Sequence, residues 1–269
     1  MNEIEIDDTP EDARLLAAYD EQLRGGPKGP GVHQEFDGRL LRVTGGHQGF
    51  ISTPRDVGPR GAELDALIAR QRDFFAARGE SVEWKTRAHD EPADLTDRLR
   101  AAGFVPQERE SVLIGRTAAM TEEPALPAGV ELRWTTDPSD AERIAAMESA
   151  VWGQDMGFLA GFLQGQLAAD PDGIAILLAE AGGTVVSAAW LMLRPDTDFA
   201  GLWGGSTLAS WRGRGLYRAL VARRAQLAHR RGYAYLHVDA SDDSAPILRR
   251  LGFRAVTTTT PYVWTPQAG

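Results

Sequence analysis

Two arginines alternate with two glycines in the stretch "TLASWRGRGLYRAL", Thr207 to Leu220, between an apolar run and a helical pattern. Glycines let a backbone curl and gather several N–H groups at one point, and the following helix directs the positive end of its dipole there. Such a point binds phosphate groups, and Arg212 and Arg214 add positive charge. The pattern favours a pyrophosphate-binding loop. By spacing alone, it also fits a tight turn with solvated arginines or a basic tag for nucleic acid.

The composition argues against the nucleic-acid interpretation. The chain holds 29 Lys+Arg and 38 Asp+Glu, a formal charge of -9, whereas a non-specific nucleic-acid binder needs a positive surface to displace counterions. Two other phosphate loops also fit poorly. There is no GxxxxGK[ST] motif, and the third glycine of GxGxxG is missing after Gly213 and Gly215.

The elements around the loop must place it at the end of a strand and the start of a helix. From Val130 onward, the apolar periodicities predict a strand, two helices, three strands, a helix, a strand, a helix and a closing strand. The two glycines of "EAGG" predict a tight hairpin turn, and Gly204 and Gly205 predict a bulge in the strand before the loop. We therefore expect an α/β (mixed α+β) fold, with a mixed sheet and helices on its faces.

This arrangement, with the closing Leu251-Gly252-Phe253, resembles the GNAT superfamily of acyl-CoA-dependent acyltransferases over roughly Val130 to Trp264. The resemblance implies a mostly antiparallel mixed sheet and transfer of an acetyl group from acetyl-CoA, the cosubstrate, to the amine of a small molecule or peptide. It also implies that the loop N–H groups hold the CoA pyrophosphate and that the preceding strand contacts the pantetheine arm. The CoA-binding positions carried over are Thr207, Leu208, Arg212, Gly213, Arg214, Gly215, Leu216, Tyr217 and Ser241.

Three positions depart from the family pattern. Tyr217 stands where the loop motif ends in a small residue, so it either crowds the phosphate or stacks beside it. Leu248 falls where a tyrosine often protonates the departing CoA thiolate, and Ser241 replaces a frequent asparagine but keeps a hydrogen-bonding group. We expect CoA binding to survive these changes better than the usual acid step does.

The general base is left open by the sequence. The strand before the loop has no carboxylate between Phe199 and Trp211. Glu148 on the first helix and Asp239 at the end of "LHVDA" are candidates, against the alternatives of a solvated helix-surface glutamate and a turn-capping aspartate. His237 is expected to be a core or surface residue. No catalytic residue is assigned at this point.

An internal similarity predicts a tandem repeat. "ALIARQRDFFAARG", Ala66 to Gly79, aligns without gaps on "ALVARRAQLAHRRG", Ala219 to Gly232, and each is followed by a strand-like run and a short helix. We predict a degenerate GNAT-like domain over residues 1–116, a linker over 117–129 and the GNAT domain over 130–269. The first copy has Glu63 where pyrophosphate would sit, so we do not expect it to bind CoA.

Two classes of function follow: an N-acyltransferase, or a non-catalytic acyl-CoA-binding or regulatory module, the latter prompted by Leu248 and the missing base.

The absence of cysteine and of HExxH spacing among the five histidines predicts no metal. The acidic N-terminus has no apolar segment and no membrane-spanning run exists, which predicts a cytoplasmic protein without membrane or nucleic-acid partners. A homodimer is left open, and the acceptor is expected to meet the segment from Trp152 to Phe162.

Overall fold

The computed structural model describes residues 9–26, 31–120, 122 and 125–266. The acidic start of the chain and part of the predicted linker, residues 121, 123 and 124, lie outside the described residues. The chain forms two compact units. The first contains Met1–Leu113, Asp239–Ala245 and Arg254–Gly269, and the second contains Ile114–Val238 and Pro246–Phe253. The division into residues 1–116, 117–129 and 130–269 stays a prediction.

The regular elements alternate between strands and helices along the whole described chain. In the first half they are α1 (Pro10–Leu23), β1 (His33–Asp37), β2 (Leu40–Thr44), β3 (Gly49–Ser52), α2 (Gly61–Ala76), β4 (Val82–Arg87), α3 (Leu95–Ala101), β5 (Val105–Pro106) and β6 (Glu110–Arg116). In the second half they are β7 (Val130–Thr135), α4 (Pro138–Trp152), α5 (Phe158–Ala169), β8 (Ile174–Ala181), β9 (Thr184–Leu193), β10 (Phe199–Thr207), α6 (Leu216–Arg230), β11 (Tyr235–Ala240), α7 (Ala245–Arg250) and β12 (Arg254–Trp264). Short 3₁₀ helices occupy Thr117–Met120 and Ala209–Trp211.

The sheet of the first unit is mixed and mostly antiparallel. Strands β1, β2 and β3 pair antiparallel in order, β3 pairs parallel with β4, and β4 and β5 each pair antiparallel with β12. Its core is built around the fully buried Phe75 of α2 and Trp84 of β4. Helix α1 is tied to β12 by Asp12, whose pKa the Arg254 guanidinium lowers to about 2.

The second unit has the same kind of sheet, with helices on both of its faces. Strands β7, β8, β9 and β10 are antiparallel neighbours, and β11 joins β10 in parallel. Alternate residues of β8 face opposite sides: Ile176 packs with α4 and α5, whereas Leu177 packs with Leu220 of α6. The mixed fold and the predicted order of elements from Val130 onward are confirmed, including the Gly182-Gly183 hairpin turn.

The two halves repeat the same substructure. Strand β4 lies at the same place in the first repeat as β11 in the second, and each follows a long helix, α2 or α6. Each also pairs in parallel with an earlier strand over only three residues, β4 with β3 and β11 with β10. The GNAT-like repeat predicted from the sequence is confirmed at the level of fold.

Helix α4 is fixed firmly against the sheet of the second unit. It begins at Pro138 because the preceding Asp137 caps it, accepting a hydrogen bond from the backbone N–H of Ser139 at 2.9 Å. Asp140, buried one turn later, bonds Arg133 of β7 at 2.6 Å and Arg143 at 2.7 Å. The Arg133 guanidinium holds the pKa of this carboxyl well below its usual range. These contacts set the orientation of the inward face of α4.

Candidate active site

The N-terminus of α6 presents several backbone donors that no described residue accepts from. Gly213 and Gly215 have φ angles of 72° and 87°, which favour glycine. Gly215 is the N-cap residue, no side chain caps the helix, and its first turn has no acidic residue. In the described part of the chain, the N–H groups from Gly213 to Leu216 have no acceptor. An anion placed here would meet these donors and the positive end of the helix dipole.

The arginines of the loop have structural contacts of their own. Arg212 donates from Nε to the carbonyl of Thr207 at 3.1 Å, so it braces the end of β10 against the loop. The guanidinium of Arg214 lies over the ring of Trp211, 4.8 Å from its centroid. A third arginine, Arg218, is exposed in the first turn of α6. The loop therefore combines backbone donors with positive side chains that frame them.

The matching loop of the first repeat is closed by its own side chains. The carboxylate of Asp56 accepts the backbone N–H of Gly58 at 2.8 Å, and this bond is the main reason that its pKa is lowered. Arg60 pairs with Asp56 at 2.9 Å. Glu63 stands in the first turn of α2. Asp56 and Glu63 thus place carboxylates at the start of α2, whereas the first turn of α6 has no acidic residue.

Strand β10 carries the predicted bulge and separates from β11 beyond it. The register with β9 shifts between Gly204 and Ser206, and Gly204 and Gly205 have φ angles of 65° and 96°. Strand β10 pairs with β11 only through Phe199–Gly201. Beyond that point, the β11 side of β10 is free of a strand partner in the described ladder. The bulge is confirmed, and it lies where the two strands part.

The backbone groups at the end of β10 are partly engaged within the protein. Leu208 donates its N–H to the carbonyl of Val186 at 3.0 Å and accepts from Trp211 at 2.8 Å. The Thr207 carbonyl takes the bond from Arg212 described above, and the Thr207 hydroxyl lies 2.8 Å from that of Ser187. Pantetheine contacts from Thr207 and Leu208 stay predictions. The internal hydrogen bonds of these two residues would compete with such contacts.

Tyr217 lies beside the bulge. A Cβ built on Gly205 would lie 2.9 Å from Cε2 of Tyr217. The aromatic ring therefore uses the space that the missing Gly205 side chain leaves, on the α6 side of the sheet. Of the two alternatives raised by the sequence, this geometry favours a ring that lies alongside the ligand path.

Glu148 is buried against the same strand, contrary to the ordinary expectation for a helix-surface glutamate. It is 2% exposed. Its Oε2 accepts a hydrogen bond from the indole of Trp152 at 2.9 Å, while its buried Oε1 has no partner among the described residues. Burial raises the pKa of Glu148, and the Ser206 hydroxyl at the bulge and the Trp152 indole partly offset this. This is a carboxylate with a raised pKa and one open oxygen.

A second polar side chain, His237, lies where β10 and β11 part. It is 8% exposed and stands in register with Gly201 of β10. A Cβ on Gly201 would lie 2.9 Å from Nε2 of His237 and 3.0 Å from Nε1 of Trp203. Glycine at this position therefore lets the imidazole and the indole approach each other over β10.

Large aromatic side chains are exposed on this unit. Four stand out by their exposed fractions: Trp152 at 62%, Phe158 at 56%, Trp203 at 48% and Phe162 at 43%. Trp152 and Phe162 bound the segment that the sequence assigned to the acceptor. Exposed aromatic rings of this kind can contact apolar or cationic groups.

The other predicted site residues have different surroundings. Asp239 forms an ion pair with Lys85 in the first compact unit, an arrangement that gives it a structural partner. Ser241 is exposed in the turn before α7, and its hydroxyl lies 3.3 Å from that of Ser244. Leu248 is fully buried in α7, so an aliphatic core side chain stands where the family has its acid.

Sequence reasoning missed two side chains that the structure places at the bulge: Ser206 and Arg224. Ser206 lies on β10 and Arg224 in the middle of α6, and no rule of sequence spacing shows that both side chains lie at the bulge. The only available signal was the pair of glycines in β10, which indicates that large groups pack closely there.

A cavity of about 370 Å³ lies beside the loop. Its lining includes Gly215 and Arg218 of the loop and first helical turn, Glu122 and Ala125 from the predicted linker, and Leu251 after α7. The cavity offers space for a ligand next to the open N–H groups.

The described residues hold no cluster of three or more His, Asp or Glu side chains arranged for a metal ion. None of the described helices has the length and apolar character that crossing a membrane requires.

Comparison with known proteins agrees with this geometry. Residues 130–253 match the family model described as "Acetyltransferase (GNAT) family". No curated protein matches the sequence significantly.

Solved structures extend the likeness to nearly the whole chain. A GCN5-related N-acetyltransferase from Kribbella flavida is 20% identical with a TM-score of 0.67, covering 96% of this chain and 95% of its own. A GCN5-related N-acetyltransferase from Sphaerobacter thermophilus is 17% identical with a TM-score of 0.64, covering 97% and 93%. A tandem GNAT protein from the clavulanic acid biosynthesis pathway is 13% identical with a TM-score of 0.62, covering 90% and 86%. At these identities the likeness concerns the fold.

Proposed function

We propose, from the premise that residues 130–253 form a GNAT acetyltransferase domain, that the protein transfers an acetyl group from acetyl-CoA to the amine of a small molecule or peptide. The open N–H groups at the start of α6 support CoA binding, because a pyrophosphate would satisfy donors that no described group satisfies. Gly213 supports it further, since a Cβ there would meet no atom within 4 Å and the loop surface is open to a ligand.

The observation that carries the proposal of catalysis is the state of Glu148. A carboxylate that is 2% exposed, with Oε1 unbonded, lies beside the bulge of β10. A buried carboxylate with one oxygen outside hydrogen-bond geometry is costly in a purely structural role, even with the Ser206 hydroxyl near it. It is explained if the oxygen receives a proton from the acceptor ammonium during the reaction.

The residues divide the reaction as follows. Glu148 takes a proton from the acceptor ammonium, and the free amine attacks the thioester carbonyl, forming the C–N bond. A backbone N–H of β10 beyond Gly201, where the strand no longer pairs with β11, stabilises the oxyanion. The cationic nitrogen of the adduct gives its second proton to water. The carbonyl re-forms as the C–S bond breaks, and the CoA sulfur leaves as thiolate. The raised pKa of Glu148 brings it closer to neutrality, where a base both accepts protons readily and is partly ionised.

The raised pKa of Glu148 predicts how kcat/KM depends on pH. Glu148 must be ionised to act as a base, and its pKa is raised above the ordinary 4.5. We expect kcat/KM to be low in acid and to rise as the pH passes the raised pKa of Glu148. A water-exposed glutamate would give its full activity at lower pH.

The test is the Glu148→Gln variant, which keeps the size and the Trp152 bond but removes the base. We expect kcat/KM to fall by about 100-fold, the acid limb of the pH profile to disappear, and the Kd for acetyl-CoA to stay the same. Activity is measured as free-thiol release from acetyl-CoA over a panel of aliphatic, aromatic and peptide amines. Glu142→Gln, an exposed glutamate of the same helix, is the matched control.

A non-catalytic acyl-CoA-binding module is the alternative, and the buried Leu248 favours it because the usual acid is missing. It predicts acetyl-CoA binding by calorimetry with no turnover of any amine by the wild-type protein. That result would reject the transferase and leave the CoA site in place.

A further inference from the structure

Arg224 is a buried cation that has no counter-ion among the described residues. It is 1% exposed in the middle of α6. Its Nε donates to the Leu220 carbonyl at 3.0 Å, and its Nη1 donates to the carbonyls of Trp190 at 3.3 Å and Trp203 at 3.1 Å. No carboxylate of the described chain pairs with it, and burial lowers its pKa to about 10. Buried charges are normally paired, so this arginine calls for an explanation.

The free end of Arg224 faces the bulge from the same side as Tyr217. A Cβ built on Gly205 would lie 3.9 Å from Nη2 of Arg224 and 2.9 Å from the ring of Tyr217. The charge of Arg224 also interacts with Tyr217. The guanidinium, the phenol and the bulge thus adjoin one another on the α6 side of β10. Glu148 belongs to α4, which packs on the opposite face.

We infer that Tyr217 is the general acid that protonates the departing CoA thiolate, and that Arg224 is a positioning residue that stabilises the resulting phenolate. The inference rests on the proposed transferase function. It replaces the acid that Leu248 cannot supply with a side chain on a different helix. It also explains why a bulky residue occupies the last position of the loop and why Gly205 makes room for it.

The proton balance closes with these residues. After the attack the adduct nitrogen is cationic, and it gives its second proton to water. The C–S bond of the tetrahedral adduct breaks, its electrons go to sulfur, and the Tyr217 O–H proton passes to that sulfur to give the free thiol. The phenolate then lies beside the Arg224 cation, which stabilises it by charge. Glu148 holds the proton taken from the amine on the other face. Exchange with solvent returns both side chains to their starting states after product release.

Tyr217→Phe is the main test, because it keeps the ring against Gly205 and removes only the hydroxyl. We expect kcat to fall by about 100-fold, with the Kd for acetyl-CoA unchanged. We also expect loss of the alkaline limb of the kcat profile, the limb that reports a group that must be protonated. Tyr233→Phe is the matched control, since Tyr233 follows the far end of α6, and it should behave as wild type.

Two variants of Arg224 test its positioning role. If Arg224 were only structural, neither variant would move the alkaline limb of the kcat profile. Arg224→Met should shift the alkaline limb to higher pH, because the phenol is harder to ionise without the cation. Arg224→Lys keeps a positive charge, so it should move the alkaline limb part of the way back toward its wild-type pH. If the Met variant does not fold, the Tyr217→Phe profile still decides the matter.

The outcomes distinguish this inference from the proposed function. Wild-type turnover together with full activity and an unchanged pH profile in Tyr217→Phe would overturn the acid role and leave the transferase standing. No wild-type turnover would overturn both. If the wild type binds acetyl-CoA weakly and Tyr217→Gly binds it tightly, the ring fills the ligand path, and the inference is wrong.

Discussion

Gly215 illustrates what one residue contributes to the proposed CoA site. It is the N-cap of α6 with a φ angle of 87°. The Gly215→Glu variant should lose acetyl-CoA binding while remaining folded, because a carboxylate would stand among the donors meant for the pyrophosphate. Calorimetric titration with acetyl-CoA measures the loss, and circular dichroism checks the fold.

The control for this variant must carry the same backbone strain. Gly232, beyond the other end of α6, also has a φ angle of 87° and no neighbour within 4 Å of a Cβ. Gly232→Glu should therefore cost similar stability and leave the acetyl-CoA affinity unchanged. Equal affinities in the two variants would contradict the assignment of the loop.

At the residue scale, the sequence predicted the backbone shape of the loop before α6 better than the surroundings of the candidate base Glu148. The loop glycines are contiguous, so their spacing predicts a curled backbone directly. Glu148 is different, because it is buried only through the way that Asp140, eight residues earlier, fixes α4 on the sheet. A helical pattern shows which residues share a face, yet it does not show that Ser206 of a distant strand meets that face.

The bulge of β10 is the element on which the site depends. A Cβ at Gly204 would lie 2.5 Å from the ring of Trp190, at a φ angle of 65°. We expect Gly204→Ala to lower the free energy of unfolding by about 1–2 kcal/mol from backbone strain and by a further ~1–3 kcal/mol from the displaced ring. Chemical denaturation measures this loss, and acetyl transfer should fall with it because Glu148 contacts the strand beside the bulge.

Gly182→Ala separates the two contributions. Gly182 lies in the β8–β9 turn at a φ angle of 55° with open space around it, so only the strain of about 1–2 kcal/mol applies. If both variants lose the same stability, the contact with Trp190 does not constrain the bulge.

At the element scale, prediction succeeded where periodicity was strong. The second of the two helices predicted after the first strand appears as α5, and the helix predicted after the loop appears as α6. Strands β1 and β3 were not predicted, because they are only four or five residues long and β1 is mostly exposed. Short polar strands form through pairing with a neighbour, and such pairing leaves little local pattern.

At the scale of the molecule, duplication explains the length of the chain. The second copy has N–H groups without a described acceptor at the start of α6, while the first has the carboxylates of Asp56 and Glu63 at the start of α2. The repeat could be seen in the sequence because helices and strands that pack alike keep the same apolar positions. The association of β12 with the first compact unit could not be seen, since nothing in a strand's own residues names its partner.

The first unit also carries a cluster of acidic residues that makes its stability depend on pH. Burial raises the pKa of Glu110 from 4.5 to about 7, with the nearby charge of Asp239 adding to the shift and Lys85 opposing it. A raised carboxyl pKa means that the folded protein holds this proton more tightly than the unfolded chain. The stabilisation is complete below pH 4.5 and is lost as the pH rises through about 7.

Glu110→Gln removes this dependence, because the amide keeps the shape of the protonated acid and never ionises. We expect the variant and the wild type to have similar free energies of unfolding at pH 5. At pH 8 the variant should be more stable by about 1–2 kcal/mol, a figure reduced for solvent screening. Denaturant titrations at the two pH values measure the difference. Glu108→Gln, an exposed neighbour, should show no such change, and a pH-independent difference for Glu110→Gln would mean that Glu110 ionises normally in the folded protein.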